Sequence, residues 1–211
     1  MARYGISATK VFGVSVGALQ RLAKRLGRDH GLAEALWDTG WYEARMLTAF
    51  VGEPERVTAA QMDRWARDFD NWAMVDTLCF QLFDRTPHAW RQVAQWTRRK
   101  EEFVKRAGFA LLASLALHDK RTGDAAFLRS LRLIERAATD ERNFVKKGVS
   151  WALRSVGRRS PALHAAAVAV AERLAASPDG AARWVGKDAL RGLGRPAVRR
   201  QLAARARGAV R

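Results

Sequence analysis

In the stretch NFVKKGVSWALRSVGR, beginning at Asn143, a tryptophan stands among cations. On a helix turning about 100° per residue, Lys147, Trp151, Arg154 and Arg158 fall within about 60° of one another. They lie opposite an apolar stripe of Val145, Val149, Ala152 and Val156. An aromatic face for stacking, ringed by cations for phosphate, is the combination that nucleic acids favour. A plainer role is also open, in which Trp151 packs beneath an adjacent helix with the Lys and Arg stems lying around it. Trp72 and Asp76, in RDFDNWAMVDTLCFQLF, are four residues apart and share a face beside the stripe Val75, Leu78 and Leu82. A carboxylate next to an indole is unusual in so basic a chain. Its simplest structural use is an ion pair with Arg106 or with a lysine. Arg106 itself lies in EFVKRAGFALLASLA, with the small Ala110 and Ala113 after it on the same face. Small residues there would leave space for a pocket, or serve a tight helix contact.

The elements that must carry these residues are written in register. Phe-Val-Lys at 103–105 returns 41 residues later at 144–146, and RWVGKDALRGLG from Arg183 keeps aromatic-Val-x-Lys another 40 residues on. A period near 40 with two helices per period is the signature of HEAT-like arrays, whose helix pairs bury their apolar sides by stacking. Helical periodicity runs through nearly every segment, and no β-alternation appears. Ser15 and Thr58 are expected N-caps, the latter in capping-box spacing with Gln61, and Pro161 suits a first helical turn. The breaks between segments are short. The predicted fold is therefore all-α, an α-solenoid of HEAT-like repeats with a concave basic face. One repeat domain is expected over 1–195, followed by a basic C-terminal helix or tail over 196–211.

Charge and composition narrow the function classes. Among 211 residues, 38 basic against 21 acidic side chains leave a net +17, an imbalance that points to an anionic partner. From Arg158 onward the count is 12 basic to 3 acidic, and the ending RRQLAARARGAVR suits a helix on phosphates as well as a frayed tail. The single cysteine, Cys79, rules out an intramolecular disulfide framework and a cysteine-rich zinc site, and it reads as a small core residue. No apolar run approaches membrane-span length and no signal-peptide core is present, so a cytoplasmic protein with no membrane partner is expected. His30, His88 and His164 are isolated, His118 has no nucleophile placed near it, and no phosphate-binding glycine loop occurs. Neither a metal nor a cofactor is expected.

Several segments, in order and spacing, resemble the AlkD-type DNA alkylation repair family. They are FGVSVGALQRLAKRLGRDH…ALWDTGWYEARML, QMDRWARDFDNWAMVDTLCFQLFDRTP, EEFVKRAGF…HDK and NFVKKGVSWALR, and the resemblance runs from about residue 4 to 195. The resemblance implies HEAT-like repeat DNA glycosylases that remove N3- and N7-alkylated purines from double-stranded DNA. The implied catalytic residues fall on Trp72, Asp76, Arg106 and Trp151, and a family tyrosine falls on Tyr4. Lys105, Lys146, Lys147, Arg154, Arg158 and Lys187 are the accompanying candidate DNA contacts.

Such an alkylated purine is cationic and leaves readily, while positive charge builds on the deoxyribose. Asp76 would stabilise that charge and orient water. Trp72 and Trp151 would embrace the sugar with a cation–π contribution, and Arg106 would hold a phosphate or fix the carboxylate. The resemblance further implies a base that is not drawn into a deep pocket, and a monofunctional hydrolase working without a lysine nucleophile. A bacterial, nucleoid-associated monomer is expected. The sequence departs from the family in two places: a helix preceding Tyr4 in longer members is expected to be short or missing, and Ala73 stands where some relatives carry a second acidic residue. Two other readings remain open at this stage, a HEAT-repeat DNA-binding protein without turnover and a protein-interaction scaffold.

Overall fold

A computed structural model of the protein describes residue 6 and residues 10–208, the last three of these as backbone. Tyr4 lies outside the described residues. The fold is all-helical: among the described residues there are twelve α-helices and no strand. In chain order they are α1 (Val16–Leu26), α2 (His30–Asp38), α3 (Tyr42–Val51), α4 (Ala59–Arg67), α5 (Trp72–Gln81) and α6 (Ala89–Trp96). They continue with α7 (Glu102–His118), α8 (Asp124–Ala137), α9 (Asn143–Val156), α10 (Pro161–Ala175), α11 (Gly180–Leu193) and α12 (Pro196–Gly208). None of the described helices is long and apolar enough to cross a membrane. The chain divides into two compact units, Met1–Ala107 and Gly108–Arg211, with the division falling inside α7.

In the first unit α3 packs against α1, α2 and α5. The core beside them is aromatic. Trp37 stacks on Trp65 at 5.0 Å, Trp65 on Phe83 at 6.3 Å, and Phe83 meets Trp96 edge-on at 5.9 Å. A buried indole N–H usually finds a partner, and two of the three here do, while Trp65 Nε1 has none among the described residues. Trp37 Nε1 donates to Asp68 at 2.8 Å and Trp96 Nε1 to Asp63 at 2.7 Å. The chain ends α1 at Gly27 with φ of 76°, a left-handed turn that glycine adopts without strain. Thr58 caps α4 by accepting from Gln61 N, as its spacing predicts. The return half of the capping box is not made, because the Gln61 amide donates to Glu34 at 2.9 Å and ties α4 to α2 instead.

The first copy of the repeated phrase, Phe-Val-Lys at 103–105, opens α7 within the first unit, and the second unit carries the copies on α9 and α11. The predicted stripe of Val145, Val149, Ala152 and Val156 is wholly buried. Ala110 and Ala113 are also wholly buried, so their small size serves close packing and leaves no open space at those positions. α10 lies against α8, α9 and α11, and its approach to α11 depends on Gly186. A Cβ at Gly186 would stand on the backbone nitrogen of Ala175, 2.5 Å from the Ala171 carbonyl oxygen and 2.7 Å from the Leu174 carbonyl carbon. Arg159 fastens the end of α9 to the α7–α8 turn. Its guanidinium donates to the carbonyls of Asp119 and Thr122 and lies 4.1 Å over the Phe127 ring.

Candidate active site and nucleic-acid interface

Asn71 sets the start of α5. It is buried, and its side chain accepts from Met74 N at 3.0 Å, the N-cap bond that closes the first turn. Trp72 therefore occupies the first helical position and Asp76 the next turn of the same face, both half-buried, while Met74, Val75, Leu78 and Cys79 point into the core. Arg106 arrives from the first turns of α7 and meets Asp76 with two parallel bonds. Nε donates to Oδ1 at 3.0 Å and Nη2 to Oδ2 at 2.7 Å. The arginine side chain is 7% exposed and that of Asp76 is 20% exposed. One edge of the carboxylate is thus fixed, and the group still reaches solvent.

Burial pushes the Asp76 carboxyl above its ordinary value, and the charge and hydrogen bonds of Arg106 offset that push without cancelling it. Burial also raises the nearby Cys79 thiol well above its usual range, helped by Asp76 and Asp84. Cys79 is fully buried with Sγ 3.5 Å from the Ala107 carbonyl oxygen, so it is a core residue and not a nucleophile.

The cation-bearing face lies in the second unit. Trp151 is half-buried on α9, so it is not sealed beneath another helix, and it shares its face with the exposed Lys147 and the half-buried Arg154. Lys187 is exposed on α11. Lys146 is half-buried, its ammonium 5.2 Å from the centroid of the Trp184 ring. Lys105, in the first unit, is half-buried at the start of α7. Arg158 follows α9, also half-buried, and its Nε has no hydrogen-bond partner among the described residues.

Asp188 is the residue that periodicity overlooks. It takes the place on α11 that Gly148 holds on α9, and its carboxylate meets one arginine from each of these two helices. Ser150 Oγ donates to it at 2.7 Å, Arg191 Nη2 at 3.0 Å, and Arg154 Nη1 lies 3.7 Å away. Burial alone would raise its carboxyl, but the Ser150 hydroxyl and the two arginines hold it below the ordinary 3.8. Gly192 makes room for this arrangement, since a Cβ there would fall against Cδ of Arg154. No group of three or more His, Cys, Asp or Glu residues among those described is arranged to hold a metal ion.

No curated protein sequence matches this chain. The fold is similar to a solved structure from a new family of proteins related to the HEAT-like repeat DNA glycosylases with affinity for branched DNA structures. That likeness covers 90% of this chain and 86% of the other, with a TM-score of 0.74 and 20% identity, and it shows a shared HEAT-like repeat architecture. The model of the family described as DNA alkylation repair enzyme matches residues 1–193. With a match over nearly its whole length, the chain belongs to the DNA alkylation repair enzyme family.

Proposed function

We propose that this protein is a DNA glycosylase that hydrolyses the N-glycosidic bond of N3- and N7-alkylated purines in duplex DNA. The observation that carries this reading is the half-buried Asp76 carboxylate, fixed by a two-bond Arg106 fork on the face it shares with Trp72. In the reaction the C1′–N bond breaks with its electron pair going to the base. The cationic purine departs neutral, and positive charge is left on the sugar. An aligned carboxylate stabilises that charge without having to reorganise as it forms. Water then adds at C1′ and loses its proton to solvent or to Asp76. Because Arg106 commits Nε and Nη2 to Asp76, its part is to aim the carboxylate, and it acts as a positioning residue. Trp72 supplies an aromatic face to the developing cation. Trp151 is proposed for the same sugar contact on the strength of the family resemblance. Lys105, Lys146, Lys147, Arg154, Arg158 and Lys187 are proposed backbone contacts, and Tyr4 a further one.

Incubation with duplex containing N7-methylguanine should release the free base and leave abasic sites. Asp76→Asn should bind this DNA normally and cleave it on the order of a hundredfold more slowly. A second reading is DNA binding without turnover. It is favoured by the similar structure, whose proteins have affinity for branched DNA structures. Tight binding with no base released, unaffected by Asp76→Asn, would establish that reading and overturn the first.

A further inference from the structure

The family match ends at residue 193, and the residues beyond it form the most one-sided part of the chain in charge. Asp188 is the last acidic residue, and after it come Arg191, Arg195, Arg199, Arg200, Arg205, Arg207 and Arg211. Composition leaves a docked helix and a frayed tail equally open. The segment folds as α12 and docks in two ways. Val198 and Leu202, 5% and 7% exposed, turn inward where α12 packs on α10. Arg205 Nη1 donates to the carbonyls of Arg158 at 2.7 Å and Arg159 at 2.6 Å, just past the end of α9. Unsatisfied carbonyls and the negative end of the helix dipole make that a natural seat for a cation. Arg205 is therefore structural.

Arg195, Arg199 and Arg200 are not used in docking. All three are exposed, and none pairs with an acidic side chain among the described residues. Arg195 and Arg199 are four apart at the start of α12. Arg195 also lies near Arg158, whose pKa is lowered by burial first and then by Arg154 and Arg195. Holding cations together in this way costs repulsion that an anion would relieve. The anion favoured by arginine over lysine is one with paired oxygens that accept a planar fork.

We infer that Arg195, Arg199 and Arg200 form, with Arg158, a phosphodiester-binding track that extends the contact with duplex DNA beyond the family-matched segment. The inference rests on the DNA reading above but not on glycosylase turnover. An anionic membrane is disfavoured as the partner, because the large apolar side chains of α12 among the described residues, Val198 and Leu202, are buried in docking and are not available to insert.

The test is the salt dependence of binding to undamaged duplex DNA, followed by fluorescence anisotropy, for the wild type and for the triple variant R195Q/R199Q/R200Q. Each phosphate contact contributes about 0.9 to the slope of log affinity against log salt, so losing three should flatten that slope by roughly 2 to 3. Affinity near ~0.1 M salt should fall roughly tenfold or more. The docking residues Val198, Leu202 and Arg205 are untouched, and the thermal midpoint should match the wild type. The companion R195K/R199K/R200K variant, which keeps the charge, should retain the wild-type slope. An unchanged slope in the Gln variant, with the wild type itself salt-dependent, would overturn the inference and leave the DNA reading intact. A wild type without salt-dependent DNA binding would defeat both. Binding to phosphatidylglycerol vesicles that is lost in the Gln variant, with DNA binding unchanged, would replace the inference with a membrane role.

Discussion

Two opposed effects act on the Asp76 carboxylate. Desolvation favours its protonated form, while the Arg106 fork favours the charged form, and the balance leaves its pKa above the ordinary 3.8. The folded protein thus holds this proton more tightly than the unfolded chain. Its contribution to stability is fully present below pH 3.8 and is lost as pH rises through the folded value. On the proposed glycosylase reading, activity would run in the opposite direction, since only the ionised carboxylate can meet a developing cation. The single-turnover rate should fall on the acid side with a midpoint above 3.8, and Asp76→Asn should lack that limb. On the proposed DNA-binding reading, the Asp188 carboxylate, which pairs with Arg154 and Arg191, would compete with phosphate for them. Asp188→Asn removes the competing charge while retaining an acceptor for Ser150. DNA affinity should rise by roughly half to one order of magnitude with a steeper salt slope, read by the same anisotropy titration.

The decisive joint among the helices is α10 against α11. Alanine at Gly186 would drive a methyl into backbone atoms of Ala171, Leu174 and Ala175, none of which can rotate aside. Gly186→Ala should therefore lower stability by about 3 kcal/mol, at the upper end for overpacking, with a reduced urea midpoint. Gly192 presents a different case, because the atoms its Cβ would meet belong to the flexible side chain of Arg154. Gly192→Ala should move that arginine away from Asp188 at little cost in stability. The contrast tests whether backbone closeness or side-chain closeness governs the second unit. α5 depends on its cap in the same local manner, as Asn71 fixes where the helix begins and hence which face Trp72 and Asp76 occupy.

For the molecule as a whole, a net +17 on 211 residues sets salt against itself. Self-repulsion of the folded state is screened as ionic strength rises, over a Debye length of about 10 Å at 0.1 M. The thermal midpoint without DNA should rise between low salt and ~0.15 M. DNA affinity should fall steeply over the same range, because phosphate binding releases counterions. Differential scanning fluorimetry and anisotropy on one preparation would show the two trends crossing. A midpoint indifferent to salt would mean that screening also weakens local pairs such as Arg173–Glu135 and Arg45–Asp68 by as much as it relieves the excess.

Helical period, caps, chain breaks and the three-fold register are properties of neighbours within a few residues, so the sequence by itself determined them. It likewise determined that Trp72 and Asp76 share one face and that Val145, Val149, Ala152 and Val156 share another. What only the tertiary structure decided depends on which helices approach and how closely. Asp76 and Arg106 are 30 residues apart, and their two-bond pairing needs α5 and α7 side by side. Ala110 and Ala113 are compatible by size with a pocket or with a contact, and packing buried them. Trp151 could be covered or uncovered by the same pattern, and its half-exposure follows from its neighbours in space. Asp188 reads as one charge among many until Ser150, Arg154 and Arg191 converge on it. The basic ending became a docked helix because two apolar side chains found α10 and one arginine found the open carbonyls beyond α9. Periodicity records which face a residue occupies, whereas burial and pairing are set by the partner that face meets.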